Sequence, residues 1–95
     1  MANIECYGIA YDRADQGKQL VIRGDIKNNS GRNYHAVAVR IVLFNRNTPL
    51  ISTVIVVNGL PNGTSRMFEK YVEETDYQQI HNLITRHEVY IESAY

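Results

Sequence analysis

The sequence predicts an all-β protein: an antiparallel β-sandwich of six to seven strands, with one short helix before the last strand, filling one domain over residues 1–95. Three observations carry this. The stretch Ala36–Asn45, AVAVRIVLFN, sets Val37, Val39, Ile41 and Leu43 on one side against Ala36, Ala38, Arg40, Val42 and Phe44 on the other, the period of a strand with one face in a core. Runs of branched and aromatic residues recur at strand length, separated by clusters of Asn, Gly, Asp and Pro. No segment sustains a long helical period. A helix through Ala36–Asn45 would have to place Arg40 in its apolar face or leave half the branched residues outside.

In chain order, Ile4–Tyr11 is the first strand, with Gly8 as a bulge or close-approach point. Asp12–Gly17 reads as a loop. In Lys18–Lys27, Leu20, Ile22, Gly24 and Ile26 alternate with Val21, Arg23, Asp25 and Lys27, so the first set faces a core and the charges face water. Asn28–Asn33 is a run of turn formers that returns the chain into Ala36–Asn45, the central strand. Asn45–Thr48 makes a hairpin connection, and Pro49 fits the first position of the next strand, Leu50–Val57. Apolar residues lie on both faces of that strand, so Ile55 and Val57 call for cover from this chain or from another. Asn58–Gly63 is turn-rich, and Thr64–Val72 is a strand with Met67, Phe68, Tyr71 and Val72. Thr75 with Gln78 has the form of a capping box, and Tyr77, Ile80, Leu83 and Ile84 recur at helical spacing. A helix that short serves as a crossover between sheets. Arg86–Ala94 closes the chain with Val89 and Ile91 inward and Glu88, Tyr90 and Glu92 outward. An immunoglobulin-like Greek key suits this series, without the disulfide and tryptophan of antibody domains.

Composition excludes more than it assigns. Ten basic and ten acidic residues balance to zero, against the basic excess of a nucleic-acid surface. Split at Thr48, the halves carry +3 and −3, scattered surface charge or a mild bias toward head-to-tail contacts. The sole cysteine, Cys6, rules out an intrachain disulfide and reads as a buried thiol, with no cationic neighbour in sequence to activate it. No stretch has the form of a signal peptide or a membrane span.

Nor does any motif name a reaction. Asp12 and Asp15 lack the denser oxygen spacing of a calcium loop. His35, His81 and His87 are the histidines, and the six-residue separation of the last two is a ligand spacing on neither helix nor strand. Glu73 and Glu74 are adjacent, so on a strand they diverge and cannot converge as an acid–base pair. No nucleophile elbow, phosphate loop or zinc motif is present. The expectation is a non-enzyme without cofactor or metal. Asn28-Asn29-Ser30 and Asn62-Gly63-Thr64 match the glycosylation acceptor pattern, but are also ordinary turn chemistry.

Three blocks in order resemble the FxLYD domain family. Ile41-Val42-Leu43-Phe44-Asn45 falls on the naming motif, with Leu43 the literal match. Gly24-Asp25-Ile26-Lys27-Asn28-Asn29-Ser30 is similar to the family's G-x-V-x-N-x-S strand end. Leu60-Pro61-Asn62-Gly63, with Phe68 five residues on, resembles its L-x-P-G-x₄-F segment. Thr48 departs from the family's turn glycine. Each block also has a physical role: Gly24 admits a neighbour, Asn28 bonds turn backbone, Gly63 takes positive φ and Phe68 plugs the core. The resemblance implies an immunoglobulin-like sandwich of bacterial or archaeal, often envelope-associated, proteins, and it transfers no catalytic residue. The chain is then cytoplasmic as written or a domain of an envelope protein.

The function expected is therefore that of a structural or protein–protein interaction domain. Seven tyrosines in a chain without tryptophan suit a contact surface, or simply half-exposed strand positions. Strand parity nominates Tyr34, Phe44, Tyr71 and Tyr90 as surface anchors, and Ile55 and Val57 as a face for self-association through an edge strand. A carbohydrate- or ligand-binding module would need aromatic rings aligned on one face. A proteinase-inhibitor-like sandwich shares the architecture, though no inhibitory loop is recognisable.

Overall fold

The computed structural model describes residues 3–95, the side chain of Glu73 excepted. In chain order the elements are β1 (Ile4–Arg13), β2 (Gln19–Asn28), β3 (Tyr34–Asn45), β4 (Thr48–Leu60), β5 (Ser65–Asp76), the single-turn helix α1 (Tyr77–Ile80) and β6 (Arg86–Ala94). The strands form two sheets, β1-β2-β5 and β4-β3-β6, and every pairing is antiparallel.

The alternation in β2 and β3 builds the core between the sheets. Val37, Val39, Ile41 and Leu43 of β3 are fully buried, as are Leu20, Ile22 and Ile26 of β2. Ile4, Ile55, Val57, Leu60 and Phe68 complete one cluster drawn from both layers. Each such side chain contributes roughly 1.5–3 kcal/mol relative to exposure, so the two central strands hold the layers together. Gly24 lies opposite Phe68 in the ladder, and a Cβ on Gly24 would stand 2.6 Å from Phe68 Cζ and 2.6 Å from Ile9 Cδ1. The ring therefore occupies the space that the missing side chain leaves.

A buried asparagine ties the loops at one end of the molecule. Asn28 is fully buried, and its Nδ2 donates to the carbonyls of Arg32 at 2.7 Å and Leu60 at 2.9 Å. Its Oδ1 accepts from the Ser30 N–H at 2.9 Å and the Ser30 hydroxyl at 2.6 Å. The Asn28 backbone donates to Thr64 and accepts from Gly63. Beside it, the Gly31 N–H donates to Asn62 Oδ1 and the Asn62 N–H to Asn33 Oδ1. Gly63 holds φ +82°, the positive φ expected of it. With both side-chain ends bonded inside the protein, Asn28 is a structural pin and offers no acceptor for a glycan.

Several expectations are corrected. β1 continues through Arg13, so Asp12 belongs to a strand and not to the loop. β4 runs from Thr48 through Leu60, because Asn58 and Leu60, read as turn residues, pair with Ala36 and Tyr34. Val21, on the same side of β2 as the charges, is fully buried on the outer side of its sheet, where its cross-strand neighbours are Asp12 and Tyr71. The helix cap is Asp76 in place of Thr75, its carboxylate accepting from the Gln78 N–H. α1 spans one turn; Tyr77, Ile80 and Ile84 pack on the core, whereas Leu83 is exposed. The β6 boundaries and the inward set of Val89 and Ile91 are as the alternation predicts, and the bulge at Gly8 is present, with φ +62° beside the register shift between Tyr7 and Ala10.

Candidate interaction surface

Two three-stranded sheets leave four edge strands, β1, β4, β5 and β6, each a row of unpaired backbone groups able to template another strand. Three are interrupted. β1 carries the bulge at Gly8. β5 sets Lys70 at the same parity as buried Phe68, opposite buried Ile22, so a charge points into its edge. β6 skips Glu92 in its ladder with β3, and its sequence includes Arg86, Glu88 and Glu92. β4 differs: the chain carries no charged residue between Arg46 and Arg66.

The hydrogen bonds of β3 identify which groups of β4 are free. Ala36 donates to and accepts from Tyr95, each at 3.0 Å, and the Phe44 carbonyl accepts from the Thr85 N–H at 2.8 Å. From Ala36 to Phe44, even-numbered residues of β3 therefore turn their backbone groups toward β6, and odd-numbered ones toward β4. Val39, Ile41 and Leu43 lie opposite Ile55, Thr53 and Ile51, so those β4 residues bond inward. Ser52, Val54 and Val56 turn their N–H and C=O groups to the open edge.

Both ends of this open segment are closed. Leu43 pairs with Ile51 and Phe44 with Pro49, leaving Leu50 as a bulge. At the other end the Arg66 guanidinium donates to the carbonyls of Asn58 and Gly59, the latter at 2.8 Å. Grooves run along the seam between β4 and β5. One of about 510 Å³ includes Ile51, Thr53, Lys70 and Val72 in its lining, and one of about 230 Å³ includes Val56, Arg66 and Met67. Val56 is 54% exposed and Met67 78%. Sequence reasoning passed over both, although the parity that buries Ile55 and Phe68 already places them outward.

The nominated anchors do not form one surface. Tyr71 and Tyr90 are exposed, but on β5 and β6, in different sheets. Tyr34 packs partly against the core. Phe44 lies under the Arg86 guanidinium, 3.9 Å from the ring centroid. Ile55 and Val57, each 6% exposed, are core residues covered by their own chain, so the contact face assigned to them passes to their outward neighbours.

Several titratable groups are engaged in structure. Arg23 Nε donates to Glu69 at 2.7 Å, and Arg23 also meets Asp12 at 3.4 Å. The hydrogen bond from Arg23 holds the Glu69 carboxyl below its ordinary range, and the same bond raises the guanidinium. Arg40 bridges Ser52 Oγ at 2.9 Å and Glu92 at 3.1 Å on the outer face of the second sheet. Burial pushes the Cys6 thiol up to about 11. His81 stacks on Tyr77 with ring centroids 4.6 Å apart, and His87 meets Tyr11 edge-on at 5.9 Å. Among the described residues no three His, Cys, Asp or Glu side chains are grouped to hold a metal ion. The Glu73 side chain, half of the adjacent carboxylate pair, lies outside the described residues.

Comparisons of the chain with protein-family models, with curated proteins and with solved structures return no match. Among the described residues no helix is long and apolar enough to cross a membrane.

Proposed function

We propose that this chain is a non-enzymatic protein–protein interaction domain, an immunoglobulin-like sandwich of the FxLYD type, that engages its partner through the free edge of β4. The observation that carries the reading is the open run at Ser52, Val54 and Val56, an uncharged edge among edges that are otherwise bulged or charged. An edge of this kind binds by strand addition: main-chain hydrogen bonds supply affinity and alternate side chains supply selectivity. The seam beside it, with exposed Val56 and Met67, gives an added strand apolar contact.

The family resemblance is supported by the roles its blocks play. Asn28 pins two loops, Gly24 accepts the Phe68 ring, and Gly63 makes the turn. Site-specific photocrosslinking in the native host tests the interaction reading. A benzophenone side chain at position 56 is expected to yield a discrete protein adduct, and one at Tyr7, exposed on the other sheet, to yield none. Equal labelling from both positions, or none from position 56 in a folded protein, overturns it.

A further inference from the structure

Resting on that reading of the β4 edge, we infer that the strand it receives is β4 of a second copy, joined antiparallel about a two-fold axis through Val54. The open run is symmetric about that residue. The Leu50 bulge lies four positions before it, and Asn58, whose carbonyl Arg66 occupies, lies four positions after. An antiparallel pair that keeps both cores on the same side of a continuous sheet must match residues of like parity, so its axis passes through a residue. Centred on Val54, the pairing sets Val54 against Val54 of the partner subunit and Ser52 against Val56 of the partner subunit. These are the residues whose backbone groups face outward, so each meets a complementary row in hydrogen-bonded register.

The symmetry of the open run selects a second copy as the occupant, and the absence of charge leaves nothing to oppose it. A two-fold axis brings any charge near it against its own image, and a charged edge would oppose self-pairing. Here the chain is uncharged from Asn47 to Ser65, and the nearest cation across the ladder, Arg40 opposite Val54, is already held by Glu92. The result is one six-stranded sheet, β6-β3-β4 continued by the same strands of the partner subunit in reverse.

The test combines mass in solution with a crosslink. Light scattering across a concentration series is expected to rise from 10.9 kDa to twice that value. Val54→Pro removes an outward N–H and leaves the bonds to β3 intact, so it is expected to stay folded and remain a single chain at every concentration. In a Cys6→Ser background, oxidation of Val54→Cys is expected to give a covalent dimer, because directly opposed Cα atoms in a hydrogen-bonded pair lie ~5.5 Å apart. Val56→Cys is expected to give none, its image lying ~13 Å along the strands. A constant single-chain mass overturns self-pairing, while the photocrosslink at position 56 separately reports whether a different protein uses the edge. A dimer that survives Val54→Pro, or that crosslinks through position 56 and not 54, overturns the pairing register.

Discussion

Asn28 Nδ2 donates to the Leu60 carbonyl at 2.9 Å with the asparagine fully buried, and this bond fastens the end of β2, in one sheet, to the end of β4, in the other. The same nitrogen serves Arg32, and Oδ1 serves Ser30 twice. No isosteric substitute keeps both ends of that amide.

Asn28→Asp is expected to lose about 2–4 kcal/mol of stability, since it replaces a donor with a carboxylate oxygen facing two carbonyls in a buried site. Urea unfolding measures it. A midpoint equal to wild type would show that the loops hold without the pin.

Gly24→Ala places a Cβ 2.6 Å from both Phe68 Cζ and Ile9 Cδ1, an overlap expected to cost about 1–3 kcal/mol. Pairing it with Phe68→Leu is expected to recover part of that loss, because a smaller side chain vacates the space. Strict additivity in the double-mutant cycle would deny the contact.

Position 55 and position 56 separate core from edge. Ile55→Lys puts an ammonium into the core and is expected to unfold the domain or cost more than about 4 kcal/mol. Val56→Lys, on an outward position 54% exposed, is expected to change monomer stability by less than about 0.5 kcal/mol. Thermal unfolding at low concentration distinguishes them.

Cys6, held near 11 against an ordinary 9.0, has roughly a hundredfold less thiolate at pH 8 than the same thiol in the unfolded chain. Greater nucleophilicity of the more basic thiolate recovers part of this, so native reaction with an aromatic disulfide reagent is expected to be at least about tenfold slower than in urea. Equal rates would contradict the partial burial of the thiol. In the unfolded chain the proton leaves from about pH 9, whereas the native state retains it to about 11. Stability is therefore expected to fall as pH rises through that window.

Alternation made the inward faces of β2, β3 and β6 legible in the sequence, because the side-chain period of a strand is local and needs no partner to be read. A glycine within a strand pattern likewise marked the bulge at Gly8, and turn chemistry marked Gly63; both hold positive φ. The misread boundaries share a cause. Asn58 and Gly59 have turn propensity, yet β4 continues through Leu60 because β3 pairs with Asn58 and Leu60, and tertiary pairing outweighs local preference. Thr75 lost the cap to Asp76 because β5 extends through that residue and only there does a carboxylate reach the Gln78 N–H. The nominated aromatic anchors failed to converge because parity assigns a face but not a sheet: Tyr71 and Tyr90 both point outward, from different layers.

The sequence by itself determined that the chain is built from β-strands, which faces of β2 and β3 are apolar, and that the stretch from Asn47 to Ser65 carries no charge. Tertiary structure alone decided that this stretch supplies an edge strand, that its ends are closed by the Leu50 bulge and by Arg66, and that Ser52, Val54 and Val56 turn their backbone groups outward. The physical reason is that backbone groups are identical in every residue. Which of them remain free depends on the partners a strand finds, and those partners come from distant parts of the chain.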